Sequence, residues 1–321
     1  MSIATIDATN ATFSSNTSQA SGGAMAVLGS AHLSNVTIAR NTADVDGNDN
    51  GNGGGIYAGP SANIHFKNSI LADTEDASHG MFAVVSHDCL GTLNADGNVL
   101  VGVGNHATLC TIGGSLSSRR LGSMSNPLDP GLGDLESAPN GDTMIHPQLE
   151  DSPAVEGGSL SGCTDYTGAA ITEDQRGENR PIGLACDIGA YESTFTPAMP
   201  YLSILGNAVV EGDSGTVTAT FTVSLSTPAN WLVLASYKTR NGSALAGLDY
   251  GPEGDDLVFQ PGETVKTFVV QVYGDTLDED NEYYEAYLYD EQNAIVDAYL
   301  ADGFILDDDG FYRVYLPLLK K

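Results

Sequence analysis

Two patterns of apolar and polar positions divide the chain. Between residues 201 and 312 the two kinds alternate with period two. Thr216–Leu225, Trp231–Tyr237, Thr264–Val272 and Tyr283–Tyr289 each turn one apolar face to a core and one polar face to water. Turn residues separate them: Gly212, Gly215, Pro228, Asn241-Gly242, Pro261-Gly262 and Gly303. Seven or so strands at this spacing, over about 110 residues, predict an immunoglobulin-like β-sandwich.

Residues 1–195 lack that regularity and lack helix-period runs. They offer short strands such as Ala62–Phe66, broken by Gly and Asn, and they repeat. Asn10-Ala-Thr-Phe13 returns as Asn35-Val-Thr-Ile38 and as Asn68-Ser-Ile-Leu71. A second marker, Gly23-Ala-Met-Ala26, returns as Gly55-Ile-Tyr-Ala58 and Gly80-Met-Phe-Ala83. The steps imply a unit of about 25 residues, with Asp44–Gly51 inserted in the middle copy. Short strands in such a period predict a partial, N-terminal parallel β-helix, making the chain all-β. The repeated asparagines are expected at corners, where Asn tolerates left-handed angles and bonds nearby backbone. The insertion departs from a calcium loop, with Asp49 where glycine is needed and Gly55 where the bidentate Glu belongs, and reads as a solvated loop.

Composition sharpens the division. Residues 1–197 hold 7 aromatics and 27 of the 38 glycines; residues 198–321 hold 17 aromatics. Prolines 197 and 200 mark a linker at 196–200, giving units 1–195 and 201–312 and a tail at 313–321. The net charge of −30 excludes nucleic acid and anionic lipid as partners and favours calcium. No apolar run reaches the length of a transmembrane segment. The polar N-terminus has no signal-peptide pattern, and Met1-Ser-Ile-Ala-Thr-Ile begins inside a strand-like stretch, so the first coil is expected to be incomplete.

The four cysteines, Cys89, Cys110, Cys163 and Cys186, have no zinc spacing; an even count here suggests two disulfides and an oxidising compartment. Three pairings are open, of which the sequential one, 89–110 and 163–186, closes two short loops and is the expectation. Histidines 32, 65, 79, 87, 106 and 146 fit no catalytic motif; His79 and His87, eight apart beside Asp88, read as scattered surface histidines rather than as a metal site. No nucleophile elbow or phosphate loop is present. Arg176 and Arg180 are expected to pair with Asp174 or Asp187 in a segment that closes the last coil.

In order along the first unit stand Asp88-Cys89, Gly97-Asn98-Val-Leu100, Cys110, Asn126-Pro-Leu-Asp129-Pro130, His146-Pro147, Ser152-Pro153-Ala-Val155, Cys163, Asp174-Gln-Arg176-Gly177, Arg180-Pro181 and Cys186-Asp187-Ile-Gly-Ala190-Tyr191-Glu192. This series resembles the choice-of-anchor Q domain of bacterial surface proteins. The resemblance implies a secreted or surface-displayed right-handed parallel β-helix and carries no catalytic residues.

In the second unit acids gather at strand ends: Glu211, Asp249, Asp275, Glu279 and Asp307-Asp308-Asp309. Loops of a sandwich meet at its two ends, so these acids converge there, and calcium suits such a cluster. Val210-Glu211-Gly212, Gly247-Leu-Asp249-Tyr250, Phe259-Gln-Pro261-Gly262, Gly274-Asp275, Glu279, Asn281-Glu282 and Ile305-Leu-Asp307-Asp308-Asp309 resemble the Calx-β domain of sodium–calcium exchangers and bacterial surface proteins. The resemblance implies that Glu211, Asp249, Asp275, Glu279, Asp307, Asp308 and Asp309 hold calcium, with Glu282 in a structural role. Gly274 stands where the exchanger pattern has a further acid. The tail resembles the Tyr-Leu-Pro-Leu endings of exported proteins of filamentous green bacteria. The reading that results is a non-catalytic secreted or cell-surface protein that binds calcium and acts in adhesion, display or contact with matrix polysaccharide or protein. Its rival is a carbohydrate-active β-helix enzyme.

Overall fold

The computed structural model describes residues 5–47, 51–77, 88–104, 110–114 and 119–310. The third copy of the second marker, His79, His87, His106 and the tail at 313–321 lie outside them. Among the described residues every regular element is a strand. The chain divides into two compact units, Met1–Pro197 and Ala198–Lys321.

The first unit is built on a parallel ladder. Thr5–Ser14 pairs in parallel with Ser30–Ala39, Thr5 opposite Ser30, a step of 25 residues. Ser30–Ala39 pairs onward with Asn63–Lys67 and Ser69–Ala72, Thr37 opposite Ile70, a step of 33. These are the two steps of the first repeat marker. The next rungs are Cys89–Ala95 and Val99–Val101, then Cys110–Gly114 and Arg119–Leu121. Asn10, Asn35 and Asn68 all adopt left-handed angles, as do Ser15, Arg40 and Asp73 at the same two steps. Each of these three rungs therefore turns two corners with the same backbone geometry. Asn68 Nδ2 donates to Asn35 Oδ1 at 2.7 Å, tying one corner to the next.

The second marker aligns differently. Met25–Val27 pairs with Ile56–Ala58 one residue out of the sequence alignment, Met25 opposite Ile56. The rung that pairs onward with Ile56–Ala58 is Cys89-Leu90, for Ile56 lies opposite Cys89. The short motif repeats by composition, whereas the register follows the buried apolar positions. The Asp44–Gly51 insertion is also less solvated than expected: Asp44 and Gly51 are buried, although Val45 and Asp46 are exposed.

Ser30–Ala39 is buried on both faces from Val36 onward. One face joins an interior core of Leu33, Ile38, Ile64, Phe66, Leu71 and Leu93. The other lies under a flanking segment that contributes Leu132, Ala154 and Ile188 to a second core with Ala39, Ile70 and Leu100. That segment was expected to close the end of the ladder. Instead it runs along the side. Asn10 donates to Glu173 O, Ala190 N to Thr37 Oγ1, Asn68 to Asp187 O and Asn98 to Gly157 O, so four successive rungs are bound. Corner side chains and open backbone groups along that side need partners, and the segment supplies them. Both sequential disulfides form. Cys89–Cys110 joins adjacent rungs, and Cys163–Cys186 ties the flanking segment to itself. Arg176 pairs with Asp174 at 2.8 Å as expected. Arg180, by contrast, takes Glu192 at 3.1 Å, and from Asp187 it takes the backbone carbonyl rather than the carboxylate. The Asp187 carboxylate accepts the amides of Glu156 and Ser193 instead, each at 2.6 Å.

The second unit is a sandwich of two sheets. One has the order Val265–Gly274, Gly215–Leu225, Tyr201–Leu205, Ile295–Ala298; the other Ala208–Val210, Leu300–Leu306, Glu282–Gln292, Val233–Asn241, Gly254–Phe259. Inward residues of the long strands form one core. Phe268 stacks between Phe221, at 5.0 Å, and Tyr237, at 3.7 Å, while Tyr250 stacks on Tyr284 at 4.3 Å. Trp231 precedes its strand rather than opening it, and its indole N–H donates to Asn293 O.

Candidate metal centre

The acids meet at one rim because of strand register. Ala208–Val210 pairs in parallel with Leu300–Leu306, Val210 opposite Leu306, so Glu211 and Asp307 leave their strands side by side. Glu211 N donates to Leu306 O and Asp308 Oδ1 accepts Gly212 N at 3.0 Å, fixing the two exits together. Carboxylate oxygens of Glu211, Asp307 and Asp309 lie within 4.8 Å of one another. Asp307 N is held by Asn281 Oδ1 at 3.0 Å.

A second group forms beside the first. Tyr250 is fully buried, and its hydroxyl donates to Asn241 Oδ1. It anchors the loop that carries Asp249, whose carbonyl accepts Tyr273 N and whose Oδ2 accepts Leu245 N at 2.6 Å. Oxygens of Asp249, Glu279 and Glu282 again lie within 4.8 Å. Of the seven predicted ligands, five thus enter two triads. Asp275 enters neither but its charge bears on Glu211, Glu279 and Asp309. Asp308 enters neither and braces the Gly212 turn. Glu282, assigned a structural role from the sequence, is instead a full member of the second triad. Strand position was visible in the sequence, but which edge of the strand faced the rim was not. Asp213 was also missed; its charge presses on Asp309.

The electrostatics are those of anions without a counter-charge. Two like charges about 4 Å apart repel by about 4 kcal/mol near a protein surface. No ion pair among the described residues involves any of these acids. Burial, followed by the charges of Asp275 and Asp307, pushes Glu211 up to about 7. Burial and Asp249 push Glu282 up to about 7 as well. Asp307 Oδ1 and Asp309 Oδ2 are buried and make no hydrogen bond. Buried carboxylate oxygens left in this way are rare, because each forfeits its hydration. The donor set, all oxygen and six acids deep, fits a hard cation such as calcium.

Gly274 has a steric reason. A Cβ there would stand 2.0 Å from Gly212 O and 2.6 Å from Glu211 O. The backbone of the Glu211 turn occupies the space that a further acid would need.

A Calx-beta domain occupies residues 204–309, about a third of the chain, by match to that family's model. Among solved structures the chain is similar to the apo-form Calx CBD1 domain, at 20% identity over 35% of this chain and 100% of that one, with a TM-score of 0.30. It is also similar to a structure described as the calcium binding domain CBD12 of CALX1.1, at 24% identity, 33% of this chain, 44% of that one and a TM-score of 0.29. No curated protein matches the chain.

Proposed function

We propose that this is a non-catalytic secreted or cell-surface protein whose Calx-beta domain binds calcium at the acidic rim. Its first unit would be a right-handed parallel β-helix of the choice-of-anchor Q kind, displayed for adhesion or for contact with matrix polysaccharide or protein. The observation that carries the calcium reading is the pair of buried, unbonded carboxylate oxygens on Asp307 and Asp309 beside Glu211. Glu211, Asp307 and Asp309 would hold one ion, with Asp275 close by, and Asp249, Glu279 and Glu282 would hold a second. The ion supplies positive charge that offsets the repulsion within each triad. The chain supplies the rest: Asp308 and Asn281 fix the backbone of the ligand loops, and Tyr250 fixes the loop of Asp249. The two disulfides support an oxidising compartment.

Calorimetric titration of the full chain tests this. Binding is expected in the range of about 10⁻⁴–10⁻³ M typical of extracellular modules, with magnesium weaker because it demands a tighter octahedron. Asp307→Asn with Asp309→Asn should remove the first ion and leave the second. Heat that is identical for calcium and magnesium, or unchanged by the double substitution, would overturn the assignment. The adhesive role has a separate test, retention of the chain on cell-wall or matrix polysaccharide. Release of reducing sugar in that assay would favour the enzymatic alternative.

A further inference from the structure

The ladder of the first unit brings together two histidines that are 33 residues apart in sequence. His32 lies directly opposite His65 on adjacent parallel rungs. Both are partly exposed on the outer face, with ring centroids 5.6 Å apart and planes 33° apart. Each ring is held by a carboxylate through the same nitrogen. His32 Nδ1 lies 2.7 Å from Asp7 Oδ1, and His65 Nδ1 lies 2.5 Å from Asp96 Oδ2. Asp7 belongs to the rung before His32, and Asp96 follows the rung after His65. The two carboxylates therefore grip the pair from opposite ends.

A carboxylate accepts only, so Nδ1–H donates in both rings and the lone pair is on Nε2. Neither Nε2 has a hydrogen-bond partner among the described residues. The ring of Tyr166 stacks on His32 at 4.3 Å and 8°, which restrains the imidazole further. Tyr166 is itself positioned by Lys67, whose ammonium donates to Thr164 Oγ1 and to Asp165 O.

We infer that His32 and His65 form a binding site for a divalent transition-metal ion of the copper and zinc class, with Asp7 and Asp96 as the carboxylates that orient the ligands. Imidazole suits these ions and not calcium. Nitrogen binds them at about 2.0–2.1 Å, which places the centres of two rings that share one ion about 5–6 Å apart. A carboxylate on the second ring nitrogen is the usual support of a metal-bound histidine, because it fixes the tautomer and raises basicity. The remaining positions on the ion stay open to water or to a donor from another molecule.

The test is titration of the full chain with Cu²⁺ in the presence of saturating calcium, which occupies the oxygen-rich rim, followed by electron paramagnetic resonance. The expected result is one ion whose spectrum shows two coordinated nitrogens. His32→Asn or His65→Asn should each reduce the spectrum to at most one nitrogen and weaken binding at least tenfold. Asp7→Asn should weaken it by about 10–100-fold while both nitrogens remain. Circular dichroism of each variant, unchanged from wild type, shows that the ladder is intact; His146→Asn should leave the copper signal as it is. A spectrum with oxygen ligands only, two independent single-nitrogen sites, or copper binding indifferent to both histidine substitutions would overturn the site.

Discussion

Glu192 is buried to 1% exposure, and its carboxylate is balanced by a single guanidinium, that of Arg180, itself buried. Burial raises the pKa of Glu192 even so. Arg180 also donates to the carbonyls of Asp187 and Gly189 and to Asn10 Oδ1 on the first rung. Arg180→Met should leave Glu192 stranded and cost about 3–5 kcal/mol, read as a lower denaturation midpoint of the first unit. Adding Glu192→Gln should recover part of the loss, since the uncompensated charge is then gone. In the rim, Gly274→Asp adds an acid yet should weaken calcium binding, because its Cβ must displace the Glu211–Gly212 backbone. Tighter binding by that variant would show that the turn yields easily. The rim should also be sensitive to pH, with a definite sign. Glu211 and Glu282 are raised from 4.5 to about 7, so the folded domain holds protons that the unfolded chain has released. Without calcium, stability falls as pH rises from about 4.5 to about 7 and is level above that. Calcium favours the ionised groups, so its affinity should increase over the same interval. Calorimetry at pH 5.5 and pH 8 checks this, with the weaker binding expected at pH 5.5.

At the scale of elements, the flanking segment and its disulfide carry the next prediction. Cys163–Cys186 closes a stretch of about two dozen residues, a constraint on the unfolded chain worth about 3 kcal/mol. Replacing both cysteines by alanine should speed amide exchange from Ser159 to Glu192 while the interior strands around Leu33 and Phe66 stay protected. Uniform loss of protection throughout the ladder would show that the segment and the rungs unfold as one. The sandwich strands were legible in the sequence because alternation marks one buried face, as in Thr216–Leu225. The first repeat marker was legible because left-handed corners favour Asn, as at Asn10, Asn35 and Asn68. The second marker was not, since Gly and Ala fill many tight positions and do not fix a register. The course of the flanking segment was hidden for another reason: its partners, such as Thr37 for Ala190 and Asn68 for Gly189, are more than a hundred residues away. The rim acids were visible as strand ends, yet the inclusion of Glu282 depended on which edge of its strand faces Asp249 and Glu279. The facing of His32 and His65 followed from a step of 33 that the Asn markers already contained.

At the scale of the whole molecule, a chain of net charge −30 keeps much of that charge at loop rims and few bases to answer it. Under the proposed assignment, calcium supplies the missing positive charge in the second unit. The chain's single tryptophan, Trp231, is 3% exposed in the core of that unit and reports its unfolding without interference from the first. Thermal unfolding of the full chain followed by Trp231 fluorescence is therefore the most direct measurement. Calcium at 100 times its dissociation constant should add about 2.7 kcal/mol for each site filled, raising the transition temperature, and chelator should lower it. A Trp231 transition that stays fixed from chelator to several millimolar calcium (about the weak end of such modules) would contradict the claim that the acidic rim is a calcium site.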